Sequence, residues 1–109
     1  MDNTKEVFLK LVKDYGLDFS DCIDNIEHRT HFYAKLPGYA GFLIDSYWDN
    51  EKCIRVATCV ENYSDTPFFW GNDAYYEESK VREQVQKMIK LAKENSVEKK
   101  IDKMNTDFK

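Results

Sequence analysis

The sequence predicts an α+β domain: a three-stranded antiparallel meander packed by an N-terminal helix and a long C-terminal helix. The expected order is α-β-β-β-α plus a short terminal helix or helix extension. Three observations carry this. Apolar residues recur at three- and four-residue steps near both ends of the chain. They alternate along the central runs. The turns between those runs are too short for a parallel crossover. At 109 residues the chain suits one domain with a modest core. Residues 1–95 are expected to form the compact body and residues 96–109 a C-terminal helix.

In the first helix, Val7, Phe8, Leu11, Val12 and Tyr15 form the apolar stripe, with Lys5, Glu6, Lys10, Lys13 and Asp14 mainly off it. Asn3 suits its N-cap with Glu6 three residues on, and Gly16 suits the left-handed residue that ends it. Residues 17–28 read as a loop or a short helical turn capped by Ser20, with Cys22, Ile23 and Ile26 as apolar contacts. Three strands are then expected. THFYAKL sets Phe32, Ala34 and Leu36 against His31, Tyr33 and Lys35, and Pro37-Gly38 turns the chain. AGFLIDSYW places Phe42, Ile44 and Trp48 on one side and Asp45 and Tyr47 on the other. CIRVATCV alternates Ile54, Val56, Thr58 and Val60 against Cys53, Arg55, Ala57 and Cys59.

Residues 61–72, ENYSDTPFFWGN, read as a loop, and a long helix is expected from about Asp73, whose carboxylate suits the cap. Val81, Val85, Met88 and Ala92 make one stripe, with Ile89 at its edge. Val97, Ile101, Met104 and Phe108 make a second, roughly opposite the first at about 100° per residue. One straight helix cannot bury both stripes against one sheet. The expectation is a break at Asn95-Ser96, with Ser96 capping a new helix. The alternative is a homodimer through Val97, Ile101, Met104 and Phe108.

Net charge is −4, unevenly spread. Residues 14–78 carry thirteen acids against Arg29, Lys35, Lys52 and Arg55, a balance of −9, whereas residues 79–109 carry +4. An acidic body repels phosphate backbones and attracts basic surfaces, by steering that salt weakens. No apolar run approaches the roughly 18–20 residues of a membrane span. The N-terminal MDNTKEVFLKLVKDYG has charges among its apolar positions and no small-residue cleavage site. Cys22, Cys53 and Cys59 are an odd, irregularly spaced set that reads as reduced thiols. A soluble cytoplasmic protein is expected.

Little in the sequence points to catalysis or metal. Cys22, His28 and His31 give one loose C-x5-H-x2-H half-site that would need Cys53, Cys59 or Asp24 as a fourth ligand. Paired tight spacings, the mark of structural zinc, are missing. The expectation is no metal and no cofactor. A GxSxG elbow, an HExxH helix, a P-loop and a GxGxxG turn are all lacking, so no enzyme is expected. The order α-β-β-β-α also describes double-stranded-RNA-binding domains, but the stretch that would enter the last helix, Asn72 to Glu78, has three acids and no base. Direct nucleic-acid binding is therefore disfavoured. As an alternative, the basic C-terminal helix would carry it, although Glu83, Glu94, Glu98 and Asp102 interleave its bases.

Tyr63, Phe68, Phe69, Trp70, Tyr75 and Tyr76 cluster in the chain, and a core of this size cannot hold them all. Phe68, Phe69 and Trp70 are expected to close the core. Tyr47, Tyr63, Tyr75 and Tyr76 are expected at the surface, framed by Asp45, Asp49, Glu51, Glu61 and Asp65 as a partner-binding face. The resulting expectation is a small acidic inhibitor that occludes a basic, nucleic-acid-handling protein. Two settings use such proteins: a toxin-immunity protein, or a phage-borne anti-defence inhibitor in the manner of anti-CRISPR proteins.

Overall fold

The computed structural model describes residues 1, 3–24, 29–47, 52–63 and 66–107, with backbone alone for 23–24, 62–63, 66 and 95–107. Its elements are α1 (Thr4–Tyr15), β1 (Asp18–Asp24), β2 (Arg29–Lys35), β3 (Ile44–Tyr47), β4 (Ile54–Val56), β5 (Cys59–Tyr63), β6 (Thr66–Trp70), β7 (Asp73–Tyr75) and α2 (Glu78–Asp107). One sheet has five antiparallel strands in the order β1-β2-β3-β4-β7, and β5-β6 form a separate two-stranded sheet. The three-stranded meander is therefore corrected to five strands plus a hairpin.

Each added strand has a physical reason. The acid-rich segment 18–24 lacks a strong apolar alternation, yet it pairs with β2 from Asp18↔Lys35 to Asp24↔Arg29. That pairing satisfies the backbone edge β2 would otherwise leave open. It also carries Phe19 onto Phe8, ring centroids 6.0 Å apart. The expected strand 53–60 divides at Ala57-Thr58. Ala57 N–H donates to Leu43 O at 2.9 Å and Thr58 N–H to Trp70 O at 3.2 Å, so successive residues bond to different partners. Beyond that point the chain forms the β5-β6 hairpin. Asp73 belongs to β7, where the Ile54↔Tyr75 pairing brings Tyr75 against the core. The helix begins instead at Glu78, with Lys80 and Val81 N–H donating to Glu77 O at 3.1 Å.

The core lies between the inner face of the large sheet and the two helices. Phe8 and Leu11 of α1 and Val81, Val85, Met88 and Ala92 of α2 are fully buried, against Phe32, Ala34, Ile44, Ile54 and Val56 of the sheet. Both helical stripes fall as their spacing predicts. Gly16 closes α1 in the left-handed region, with its own N–H on Lys13 O and that of Leu17 on Val12 O, a Schellman end. Asn3 makes no side-chain cap; its carbonyl accepts from Val7 N–H. Buried Ser46 donates its hydroxyl to Cys53 O at 2.6 Å, which satisfies the polar group that interrupts the β3 core face.

The expected break at Asn95-Ser96 does not occur. α2 runs uninterrupted over 30 residues, a segment without Pro or Gly. The side chains of Val97, Ile101 and Met104, and Phe108 as a whole, lie outside the described residues. Among the described residues no helix is long and apolar enough to cross a membrane.

Candidate functional site

The outer face of the large sheet is built by strand alternation. With Phe32, Ala34, Ile44, Ser46, Ile54 and Val56 turned inward, the intervening Arg29, His31, Tyr33, Lys35, Asp45, Tyr47 and Arg55 turn outward. Register places His31 opposite Tyr47, Tyr33 opposite Asp45 and Asp45 opposite Arg55. Three of the four bases of residues 14–78 thus meet on one face, in a segment that is acidic by sum.

Asp45 is the hub of this face. Its Oδ2 lies 2.9 Å from His31 Nε2 and 3.4 Å from both Nε and a terminal nitrogen of Arg55. Tyr47 is half-buried: the guanidinium of Arg29 sits 4.2 Å and that of Arg55 5.2 Å from its ring centroid, and the His31 ring lies 4.8 Å away. Such cation–π contacts contribute roughly 0.5–1 kcal/mol each at exposed sites. The guanidinium heads of Arg29 and Arg55 thus lie over the Tyr47 ring, on the sheet face opposite the one that packs against α1 and α2. Phe42, expected beside Ile44, lies on this outer face instead and stacks on Tyr33 at 4.2 Å. Residues 41–43 are not a strand, so the alternation slips there, and Leu43 takes the buried position.

Beside this face a cleft of about 330 Å³ opens between the start of β3, the end of β4 and the end of β6. Gly41, Phe42, Leu43, Asp45, Ala57, Phe69, Trp70, Gly71 and Asn72 line it. Of the three rings expected to close the core, Phe69 does so at 3% exposure, while Trp70 is 46% exposed and Phe68 half-buried. Phe42, at 42% exposure, is the other open ring of the cleft. From Trp70 to Glu77 every residue except Tyr75 is exposed, a strip carrying Trp70, Asp73, Tyr76 and Glu77. The following Glu78 accepts from Arg82 at 3.0 Å. That hydrogen bond, foremost, and a second one to Asp14 hold the Arg82 guanidinium above its usual range. The same arginine ties the end of α1 to the start of α2.

The expected partner-binding residues are dispersed. Asp45 and Tyr47 sit within the outer-face network, Tyr75 packs against the core, Glu61 is exposed on β5, and Tyr76 is 63% exposed. Asp49, Glu51 and Asp65 lie outside the described residues, as does the side chain of Tyr63. Sequence reasoning did not select Phe42 or Asp73 and assigned Trp70 to the core. A usable signal was the flanking of both rings by glycine, since Gly41 and Gly71 mark irregular backbone where alternation fails.

Of the candidate metal ligands, Cys22 stands opposite His31 in register, but the His31 Nε2 is engaged by Asp45 and His28 lies outside the described residues. No three His, Cys, Asp or Glu among the described residues are placed to hold a metal ion. Cys53 is buried, and Cys59 is half-buried with the Thr58 hydroxyl 3.8 Å from its sulfur. No family model, curated protein or solved structure matches the chain.

Proposed function

We propose that the protein is a small acidic inhibitor that occludes a basic, nucleic-acid-handling protein in the cytoplasm, as phage anti-defence proteins and toxin-immunity proteins do. The observation that carries this reading is the exposed strip Trp70–Glu77, where two large rings stand among carboxylates. Rings of this kind bury much area for little lost rotamer freedom, and the carboxylates occupy Lys and Arg pockets that otherwise hold phosphate. Because Asp45 is engaged by His31 and Arg55, the acids assigned to the partner are Asp73, Glu77 and Glu61. The −9 balance of residues 14–78 supplies long-range steering.

A photoreactive residue in place of Tyr76 is expected to capture the partner in cells. With that partner purified, Asp73→Lys combined with Glu77→Lys is expected to weaken binding about tenfold at low salt and to flatten its salt dependence. Unchanged affinity and an unchanged salt slope would sink the reading.

A second reading, self-association through Val97, Ile101, Met104 and Phe108, is favoured by the uninterrupted course of α2 past Asn95. In the sequence Val97, Ile101, Met104 and Phe108 have the four-three-four spacing of a coiled-coil seam, which this reading assigns to contact with another copy. Sedimentation equilibrium is expected to give a dimer that Ile101→Lys with Met104→Lys turns into a monomer. A monomeric unmodified chain at high concentration contradicts it.

A further inference from the structure

We infer that the free edge of β1 takes up an extended basic segment of another protein as an added antiparallel strand. This goes beyond the occlusion reading: β1 and β7 are opposite edges of the large sheet, so the surface is separate from the strip Trp70–Glu77.

The backbone of this edge is open to pairing. β1 is seven residues long and meets β2 in consecutive pairs from Asp18↔Lys35 to Asp24↔Arg29, with no bulge. Among the described residues no strand pairs with its other side. In an antiparallel ladder every second residue turns its N–H and C=O away from the neighbour, so β1 presents strand donors and acceptors over about 23 Å. β7, at the far edge, has only three residues. Sheet edges are ordinarily closed to pairing by proline, lysine, bulges or short length. The β1 segment DFSDCID contains no proline, glycine or base. What it does carry is a carboxylate at every third residue, Asp18, Asp21 and Asp24.

Those acids select the occupant. Asp18 and Asp21 are exposed, and among the described residues neither side chain makes an ion pair or a hydrogen bond. Lys35, the base directly across from Asp18, stands over Phe42 instead, its Nζ 5.9 Å from the ring centroid. Directly opposed residues of neighbouring strands share a face and interact, so Lys or Arg at every third position of an added strand meets each acid in turn. The same rule disfavours a second copy. Antiparallel self-pairing about Asp21 opposes Asp21 to itself and Asp18 to Asp24, all like charges.

The test titrates the ¹⁵N-labelled full chain with the blocked peptide Lys-Thr-Val-Lys-Thr-Val-Lys. One control carries Glu in place of each Lys. The other is the Lys peptide with every backbone nitrogen methylated, which keeps the charge and loses the strand donors. The β1 amides are read for shifts and hydrogen exchange, and the Trp70 indole and Asn72 amide report the strip. The Lys peptide is expected to give saturable shifts centred on residues 18–24, with Kd below about 1 mM and at least about fivefold tighter than either control. Exchange is expected to slow at alternate β1 amides. Asp18→Asn with Asp21→Asn is expected to weaken the Lys peptide about fivefold, with thermal unfolding unchanged. Equal binding of the methylated peptide means ion pairing without an added strand, and equal binding of the Glu peptide means an edge indifferent to charge. Concentration-dependent protection of β1 without peptide means a second copy. Shifts confined to Trp70 and Asn72, or none up to about 10 mM, leave the carboxylates as a guard against pairing; each of these results overturns the inference. The effect of Asp73→Lys with Glu77→Lys on the captured partner is read separately, so either surface can fail without the other.

Discussion

Phe8→Ala is expected to lower unfolding free energy by about 3–5 kcal/mol, measured as a shifted urea midpoint at constant slope. Phe8 is fully buried where α1 meets the sheet, and its ring stands edge-on to Phe32 at 4.5 Å and to Phe19 at 6.0 Å. The deletion removes transfer free energy, leaves a cavity between elements that cannot collapse independently, and breaks two aromatic pairs. A domain of this size has only about 5–15 kcal/mol in total, so the variant sits near the edge of folding. Leu9→Ala, one position on and 40% exposed, is the internal control, expected to cost no more than about 0.5 kcal/mol. Similar losses at both positions would contradict the assigned face of α1.

Gly41→Ala is expected to cost about 2–4 kcal/mol, and Gly71→Ala only about 1–2 kcal/mol. Both glycines have positive φ, +77° and +74°, so both substitutions meet left-handed backbone strain. They differ in what the new Cβ strikes. At Gly41 it is the Phe69 carbonyl, part of the backbone that docks the hairpin, and the hairpin itself must shift. At Gly71 it is the Thr58 hydroxyl, the end of a side chain that another rotamer moves away. Thermal unfolding orders the two. Equal costs would mean that the hairpin is free to move relative to residues 39–41.

The parts of the fold written in local periodicity were legible. The α1 stripe, the Gly16 end, the β2 alternation and the Val81–Ala92 stripe all stand where spacing put them. What was not legible depends on partners distant in sequence. β1 is a strand because β2 presents a free edge to it, not because DFSDCID prefers extension. Asp73–Tyr75 resembles a helix start, yet the edge of β4 recruits it. A similar limit applies at the surface. Asp45 and Tyr47 read as exposed because they alternate with buried residues. Only register shows that His31, Arg29 and Arg55 converge on them. Trp70 reads as core because residues 61–72 read as a loop whose rings fold inward together, whereas in strand β6 the adjacent Phe69 and Trp70 face opposite ways.

The account rests on occlusion of a basic surface by the strip Trp70–Glu77, and competition tests that most directly. Fluorescent nucleic acid is bound to the partner captured through position 76, and its anisotropy is followed as the full chain is added. The expected result is stoichiometric release of the nucleic acid, lost when Asp73 and Glu77 are both replaced by Lys. Formation of a ternary complex, with the nucleic acid retained while the chain binds, would contradict the account.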